Sequence, residues 1–592
     1  MSPFKSITCL SLLFLSASFL SAQQYLNLDF EKSTNAGAAL GWYQGGKGYE
    51  VKVDTTVFHS GGKSLRIEKI SEGNFGLGTL SFPIGDAKGK HLRYTGWIKT
   101  EGIANGYAGL WWRVDSPGKN KISGFDNMSG RGPSGTTPWK KYSIEMDIDT
   151  AIQNINFGVL MPGNGKAWFD DLQIELDGKV YEQIAPVPFV PTEAQQNWLK
   201  ENVISFNTAE PTGDNSDLEK LKAVIGNARI VSLGEGTHGT SEFFKMKHRI
   251  TKFLAEEMGF TVFAIEANMP EARKVNEYIL TGKGDPKKAL AGLYFWTWNT
   301  QEVLDMIEWM RQFNASGKGR IEFRGFDMQT PTVAMDNVRG FIEKAEPSYS
   351  DSLNQIFSKM KEYNAELMKT QSRSGILYEP VYNLANQVFV HLRNHRTDYL
   401  KIIPEVEVDF AIQDSRVILQ SAQMFIQGKA TRDQSMAENV EWILNHTPSN
   451  TKIVLWAHNG HVCRRDYSMG GFLSKKYGKE MVVFGFGFHE GKYTAVGNSG
   501  LGVYGTSVSQ PGSIEYAFHE TGLPRFILDL RNVSASPLSS WLNNKLDMRS
   551  IGAMAMDYAF YPTVVPNEYD AVIYFDRTNP SNCFGLTQSK AN

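Results

Sequence analysis

The sequence predicts a multidomain chain: an N-terminal all-β sandwich followed by an α/β domain with a central sheet flanked by helices. Three observations predict it. Up to about residue 178 the chain is rich in Gly, Asn and Ser and runs in short segments of alternating polarity. Beyond about residue 194, helical periodicity alternates with short, continuously apolar runs; strands buried on both faces have that pattern. The 592 residues also exceed what one ordinary domain holds.

Residues 1–22 read as a secretory signal, with Lys5 as the charged start, Ile7–Phe19 as the apolar stretch and Leu20-Ser21-Ala22 as the cleavage site. The apolar stretch is too short to span a bilayer, and no later segment has 18 uninterrupted apolar residues. The expectation is an exported protein, periplasmic or secreted, with no membrane insertion after signal cleavage. A net charge of −2 gives no basic surface for nucleic acid. Cys463 and Cys583 remain after cleavage, and nothing in the sequence pairs them.

Residues 24–178 form the first domain. Lys63–Glu68, Arg93–Lys99, Gly109–Val114, Lys141–Met146, Asn154–Leu160 and Ala167–Leu176 are short strands at sandwich spacing. Trp111 and Trp112 are adjacent on a strand and point to opposite faces. One then belongs to the core, and the other is free to stack on a sugar ring or simply to pack. Asn27-Leu28-Asp29-Phe30-Glu31, the turn His59-Ser60-Gly61-Gly62-Lys63-Ser64-Leu65 and Ala167-Trp168-Phe169-Asp170-Asp171-Leu172 resemble jelly-roll carbohydrate-binding modules over most of this range. The resemblance implies a jelly roll and a structural calcium held by Glu31 with Asp170 or Asp171, which are hard oxygen ligands. Pro186, Pro188 and Pro191 make 179–200 an extended, semi-rigid linker.

Residues 201–592 form the second domain, and its first buried run is Ile230–Leu233. The run ends in Gly234-Glu235-Gly236-Thr237-His238-Gly239, after which Phe243, Phe244, Met246 and Ile250 mark one side of a helix. Strand, glycine-rich turn and helix lift Glu235 and His238 to the carboxyl end of a strand, where α/β sheets bind ligands. The glycines flanking Glu235 let the backbone turn sharply. Glu and His three residues apart suit an acid/base pair or two metal ligands; they equally suit a turn that caps the next helix. Thr261–Ile265 leads into Glu266, Ile321–Phe323 into Arg324 and Asp327, and Ile453–Trp456 into His458 and His461. Met481–Phe488, Phe526–Leu530 and Ala571–Phe575 are further strands; Ser241–Glu257, Pro270–Leu280, Asn299–Gln312 and the long region 332–446 are helical. If the strands are parallel, their ionisable residues meet at one edge, and that edge is the candidate site.

Several stretches together resemble the erythromycin esterase family. They are GEGTHG with TSEFF, FAIEA, WMRQFN, FRGFDMQ, RD-SMAEN, WAHNGH, Pro511–Glu515, Ile527–Arg531 and Tyr569–Val572, in consistent order over about 200–580. The resemblance implies hydrolysis of an ester by activated water, with no covalent acyl-enzyme and no cofactor required for catalysis. His238 matches the family's general base, Glu235 and Glu266 its essential carboxylates, and His458 the histidine of its second motif. Lys247 stands where macrolide-inactivating members carry an arginine. Those members are cytoplasmic and lack the accessory module.

A carboxylate beside His238 would fix its tautomer and stabilise its imidazolium. His458 or His461 could bind the oxyanion or protonate the leaving group. The bland readings are Glu235 or Glu266 as buried partners of Arg249 or Arg273, and His458 and His461 as loop-stabilising groups. Asp327 reads as an ion-pair partner of Arg324 near the site, or as a substrate contact. Trp296 and Trp298 read as core or as the wall of an apolar substrate pocket, and Lys247 as a solvated helix residue or a substrate contact. There is no G-x-S-x-G elbow: Gly497-Asn498-Ser499-Gly500-Leu501 fails at its last position. A metal-dependent hydrolase using His238, His458, His461 and Glu235 or Glu266 is the enzymatic alternative. A non-catalytic glycan-binding protein is the alternative from a different class. The expected substrate is a small-molecule or glycan ester, a macrolide lactone among them.

Overall fold

A computed structural model describes residues 26–586, apart from 34–36, 119–120, 182–187, 213, 371–377, 427–430, 498–499 and 557–558. The expected signal at 1–22, the centre of the linker with Pro186, and Asn498-Ser499 lie outside the described residues. The chain divides into two compact units, Met1–Val187 and Pro188–Asn592.

The first unit is all β: a five-stranded and a six-stranded sheet, antiparallel throughout. Five of the sequence-read strands are parts of longer ones, His91–Ala104, Gly109–Asp115, Gly135–Asp147, Asn154–Met161 and Asn164–Leu176. Gly76–Ser81 and Ile122–Asp126 were not legible, because glycines interrupt their alternation; Tyr49–Asp54 alternates strictly and was missed. Between the sheets Trp42, Phe82, Tyr94, Trp112 and Phe157 pack edge-on and tilted, with centroids 5.0–6.1 Å apart. Trp112 is the core member of its pair and Trp111 is half-buried.

Glu31 and Asp170 do close on the same turn, but their oxygens meet amide donors. Glu31 Oε1 accepts the N–H of Gly62 and Lys63. Asp170 accepts the N–H of His59, Ser60 and Asp171. Asp171 bonds the His59 ring and the Ser60 hydroxyl instead. Calcium needs oxygen donors around it. Nitrogen donors occupy that place here, so this arrangement does not fit the expected ion.

The second unit is a nine-stranded mixed sheet. We label its strands β1 (Ile204–Ser205), β2 (Ile230–Leu233), β3 (Val262–Asn268), β4 (Glu322–Asp327), β5 (Ile453–Trp456), β6 (Met481–Gly497), β7 (Gly500–Gly505), β8 (Arg525–Asp529) and β9 (Ala571–Thr578). The order is β1-β8-β9-β6-β2-β5-β3-β4, with β7 paired to β6. Strands β4, β3, β5, β2, β6 and β9 run parallel. The strand at Arg525–Asp529 is antiparallel to its neighbour. The parallel core is why β2 and β5 are buried along their whole length. The helix α1 (Ser241–Met258) follows β2 and buries Phe243, Phe244, Met246 and Ile250 on one core. The region 332–446 resolves into several helices, which bury the opposite face of the sheet. A helix at Glu193–Asn202 opens on a Thr192/Gln195 capping box. It ends the extended path that the prolines predict at 179–200, well short of residue 200.

Candidate active site

The four strands β2, β3, β4 and β5 are parallel and deliver their carboxyl ends to one edge. After β2 the chain passes Gly234, where a Cβ would sit 2.2 Å from Asn459 Oδ1. At Gly236, the other glycine flanking Glu235, a Cβ would sit 2.9 Å from the Phe486 carbonyl oxygen; Gly239 is tighter still against the Thr494 carbonyl, at 2.0 Å, and the two that flank Glu235 decide the point. Neither glycine has a positive φ. Close approach of neighbouring chain demands them, rather than the sharp turn that the sequence suggests. Asn459 then ties the turn down: its amide exchanges two hydrogen bonds with the backbone of Phe486, at 2.8 and 3.0 Å.

Glu235 is the centre of the cluster. Its side chain has no exposed surface. Oε1 lies 2.7 Å from His238 Nδ1. Oε2 accepts from Lys247 Nζ at 2.6 Å and from Trp456 Nε1 at 2.8 Å. Burial alone would push this carboxyl up; the Lys247 charge and the His238 hydrogen bond outweigh it and hold it below the usual range. A carboxylate can only accept, so His238 Nδ1 carries the proton and Nε2 keeps its lone pair. The His238 side chain is 12% exposed, which leaves it open to a small reactant. Trp298 stands edge-on to its ring at 6.2 Å.

Glu266 is the second buried carboxylate. Oε1 accepts from Arg432 Nη2 at 2.7 Å and lies 3.4 Å from His461 Nε2. Oε2 accepts the His458 backbone N–H at 2.9 Å. Burial is again outweighed, here by His461 and Arg432, and the group is held far below the usual carboxylate range. Arg432 opens the helix Arg432–Asn445, which Thr431 caps. It spans two carboxylates, because Asp327 takes its Nε at 3.1 Å and Nη2 at 2.7 Å.

The two histidines after β5 differ in kind. His458 Nδ1 accepts the Gly460 N–H at 3.1 Å and its Nε2 lies 3.1 Å from the Ile551 carbonyl. Both nitrogens are occupied, and burial, with His238 and His461 nearby, brings its pKa down to about 3. It is a neutral ring, 4.9 Å from that of His238. It is not an acid near neutral pH. His461 lies between Asp433, 2.8 Å from Nδ1, and the pair Arg432 and Glu266 around Nε2. Burial works against its charge, yet Glu266 and Asp433 prevail and raise its pKa.

Several expected pairings are replaced. Asp327 bonds Arg432, and Arg324 goes to Glu322. Arg249 pairs with Asp217 and Arg273 with Asp414, so neither meets Glu235 or Glu266. Lys247 is neither solvated nor at a substrate surface: its side chain is fully buried beneath Glu235, with Nζ over the Trp456 ring at 4.4 Å. Trp298 is core, its Nε1 donating to the Glu266 carbonyl. Trp296 is half-buried, and its carbonyl accepts from Cys583. Cys463 and Cys583 are both free and buried. Arg432 and Asp433 were missed as site residues, although they stand at the head of the RD-SMAEN stretch. Among the described residues, Glu235, His238, Glu266, His458 and His461 do not bring three ligand atoms within 4.8 Å of one another.

An imidazole oriented by a buried carboxylate stands beside an arginine and a second imidazole at the ends of parallel strands, where α/β enzymes carry their sites. The family model described as erythromycin esterase matches residues 255–578, more than half of the chain. Erythromycin esterase type II of Escherichia coli is 23% identical over 431 residues, 65% of this chain and 98% of its own. The crystal structure of a Bacillus cereus protein is similar at a TM-score of 0.60 and 27% identity, covering 66% of this chain and 100% of that one. A variant of the erythromycin esterase EreC in an open conformation is similar at a TM-score of 0.52 and 14% identity, over 64% of this chain and 98% of its own, a likeness of fold. The chain belongs to the erythromycin esterase family and is a hydrolase acting on ester bonds.

Proposed function

We propose that this protein cleaves a glycan or small-molecule ester, or a lactone, by direct attack of water. His238 Nε2 takes a proton from water while the oxygen adds to the carbonyl carbon. Glu235 stabilises the imidazolium that forms; general base help of this kind is worth ~10²–10⁴-fold. The tetrahedral intermediate carries its negative charge toward Arg432 and His461. As the carbon–oxygen bond breaks, His461 gives its proton to the leaving alkoxide. His458, neutral and with both ring nitrogens engaged, packs beside His238 rather than acting as an acid. The observation that carries this reading is the 2.7 Å contact between His238 Nδ1 and a carboxylate with no exposed surface.

The same reading includes export, supported by the character of residues 1–22, and a glycan-binding accessory role for the first unit. Support for the latter is a partly exposed aromatic group in which His59 stacks on Trp97 at 3.9 Å and meets Trp139 edge-on at 5.7 Å.

The test is hydrolysis by the purified mature protein of a 14-membered macrolide, aryl esters and acetylated glycans, before and after prolonged chelation. Turnover that survives chelation supports the water mechanism, and the preferred ester names the substrate. Turnover lost on chelation and restored by zinc or iron would make His238, His458 and His461 ligands. Sugar binding without any turnover would favour a non-catalytic glycan binder.

A further inference from the structure

Glu346, His391 and His395 form a cluster that the ester chemistry does not use. Glu346 ends the helix α2 (Thr332–Ala345), His391 lies in the last turn of α3 (Glu379–Asn394), and His395 caps α3. The two histidines are one helical turn apart and their rings stack at 4.2 Å. One ligand atom from each of the three residues falls within 4.8 Å of the others. His391 Nε2 is 2.9 Å from Glu346 Oε2.

The surroundings orient each group. His395 Nδ1 is 2.9 Å from the His391 carbonyl oxygen. A carbonyl can only accept, so Nδ1 carries the hydrogen and Nε2 keeps a free lone pair. Metal-ligating histidines are held in this way, by a backbone carbonyl on the far nitrogen. Tyr399 donates its hydroxyl to Glu346 Oε2 at 2.6 Å, the corresponding support for the carboxylate. Tyr349 stacks on His391 at 3.6 Å and fixes its plane. His391 and Glu346 are 19% and 24% exposed, so an ion and its water can reach them without opening the fold.

We propose that Glu346, His391 and His395 bind a divalent transition metal of the zinc class, separately from ester hydrolysis. Two imidazole nitrogens and one carboxylate oxygen suit zinc, with water in the fourth position. Calcium and magnesium require oxygen ligands and do not match. The ion would join the end of α2 to the end of α3, replacing the direct His391–Glu346 bond.

The test uses the metal-stripped full chain titrated with Zn²⁺ and Co²⁺. One Zn²⁺ should bind per chain and raise the melting temperature. Co²⁺ should give a visible absorption band that Zn²⁺ bleaches. His395→Ala and Glu346→Gln should each weaken Zn²⁺ binding at least about tenfold while ester turnover persists. His238→Asn should leave Zn²⁺ binding intact. Absence of Zn²⁺ binding would overturn the proposal. So would binding that survives His391→Ala with His395→Ala but disappears with His238→Asn. Should the histidine variants fail to fold, Zn²⁺ should shield His391 and His395 of the unmodified chain from diethyl pyrocarbonate; no shielding sinks the idea.

Discussion

Lys247 Nζ lies 2.6 Å from Glu235 Oε2, and neither side chain has any exposed surface. A charge pair taken wholly out of water is held only by its partners; removing one strands the other. Lys247→Met should therefore lower unfolding stability by about 3–5 kcal/mol, read from the urea midpoint at pH 7. Turnover should fall as well, because a Glu235 without its ammonium no longer stays ionised beside His238. Stability within about 0.5 kcal/mol of the parent would place the pair among contacts of no consequence.

His238→Asn should keep the fold, since the ring is near the surface of its turn and the carboxylate retains Lys247 and Trp456. The loss should appear in kcat, by ~10²-fold or more, with an unchanged melting temperature. A folded variant that hydrolyses esters at the parent rate refutes the base assignment.

Asp433→Asn tests the acid. Asp433 and Glu266 raise the pKa of His461 against its burial. Removing one negative partner lowers that pKa, so the protonated ring is lost at lower pH. The alkaline limb of kcat/KM should move toward acid, while Met469 keeps a side-chain acceptor for its N–H. An unmoved limb would leave His461 without the role of acid.

Glu271 offers a stability test away from the chemistry. Burial pushes it up to about 7 from 4.5, and one of its oxygens, Oε2, has no partner. The folded state thus binds more protons than the unfolded one between those values. Stability falls as pH rises from about 4.5 to about 7 and is then level. Glu271→Gln should gain on the order of 2–3 kcal/mol at pH 8 and almost nothing at pH 4. Thermal melts at the two pH values decide it.

Much of this site was readable because its residues sit next to strand ends. Glu235, Glu266, Asp327 and His458 each follow a short apolar run, and parallel pairing alone brings such ends together. Their partners were not readable for the same reason in reverse. Arg432 reaches Glu266 across 166 positions from a helix start, where nothing local distinguishes it from a solvated capping-turn residue. Lys247 looks like an ordinary charge on an amphipathic helix until that helix is laid against β2. The antiparallel strand Arg525–Asp529 was equally hidden, since an apolar run has no visible direction. The glycines of the first motif were seen, but their reason was not: it lies in Asn459 and Thr494, which only the folded chain brings within reach.

The neighbours of His461 Nε2 have one more effect. An acceptor, Glu266 Oε1 at 3.4 Å, and a donor, Arg432 Nη1 at 3.0 Å, face the same nitrogen. A neutral ring takes the guanidinium hydrogen in its Nε2 lone pair. A charged ring carries its own hydrogen in that same direction, so the guanidinium must turn away and leave the carboxylate as partner. Each gain or loss of that proton therefore re-aims the cation beside it, and the state of the ring is tied to where Arg432 points.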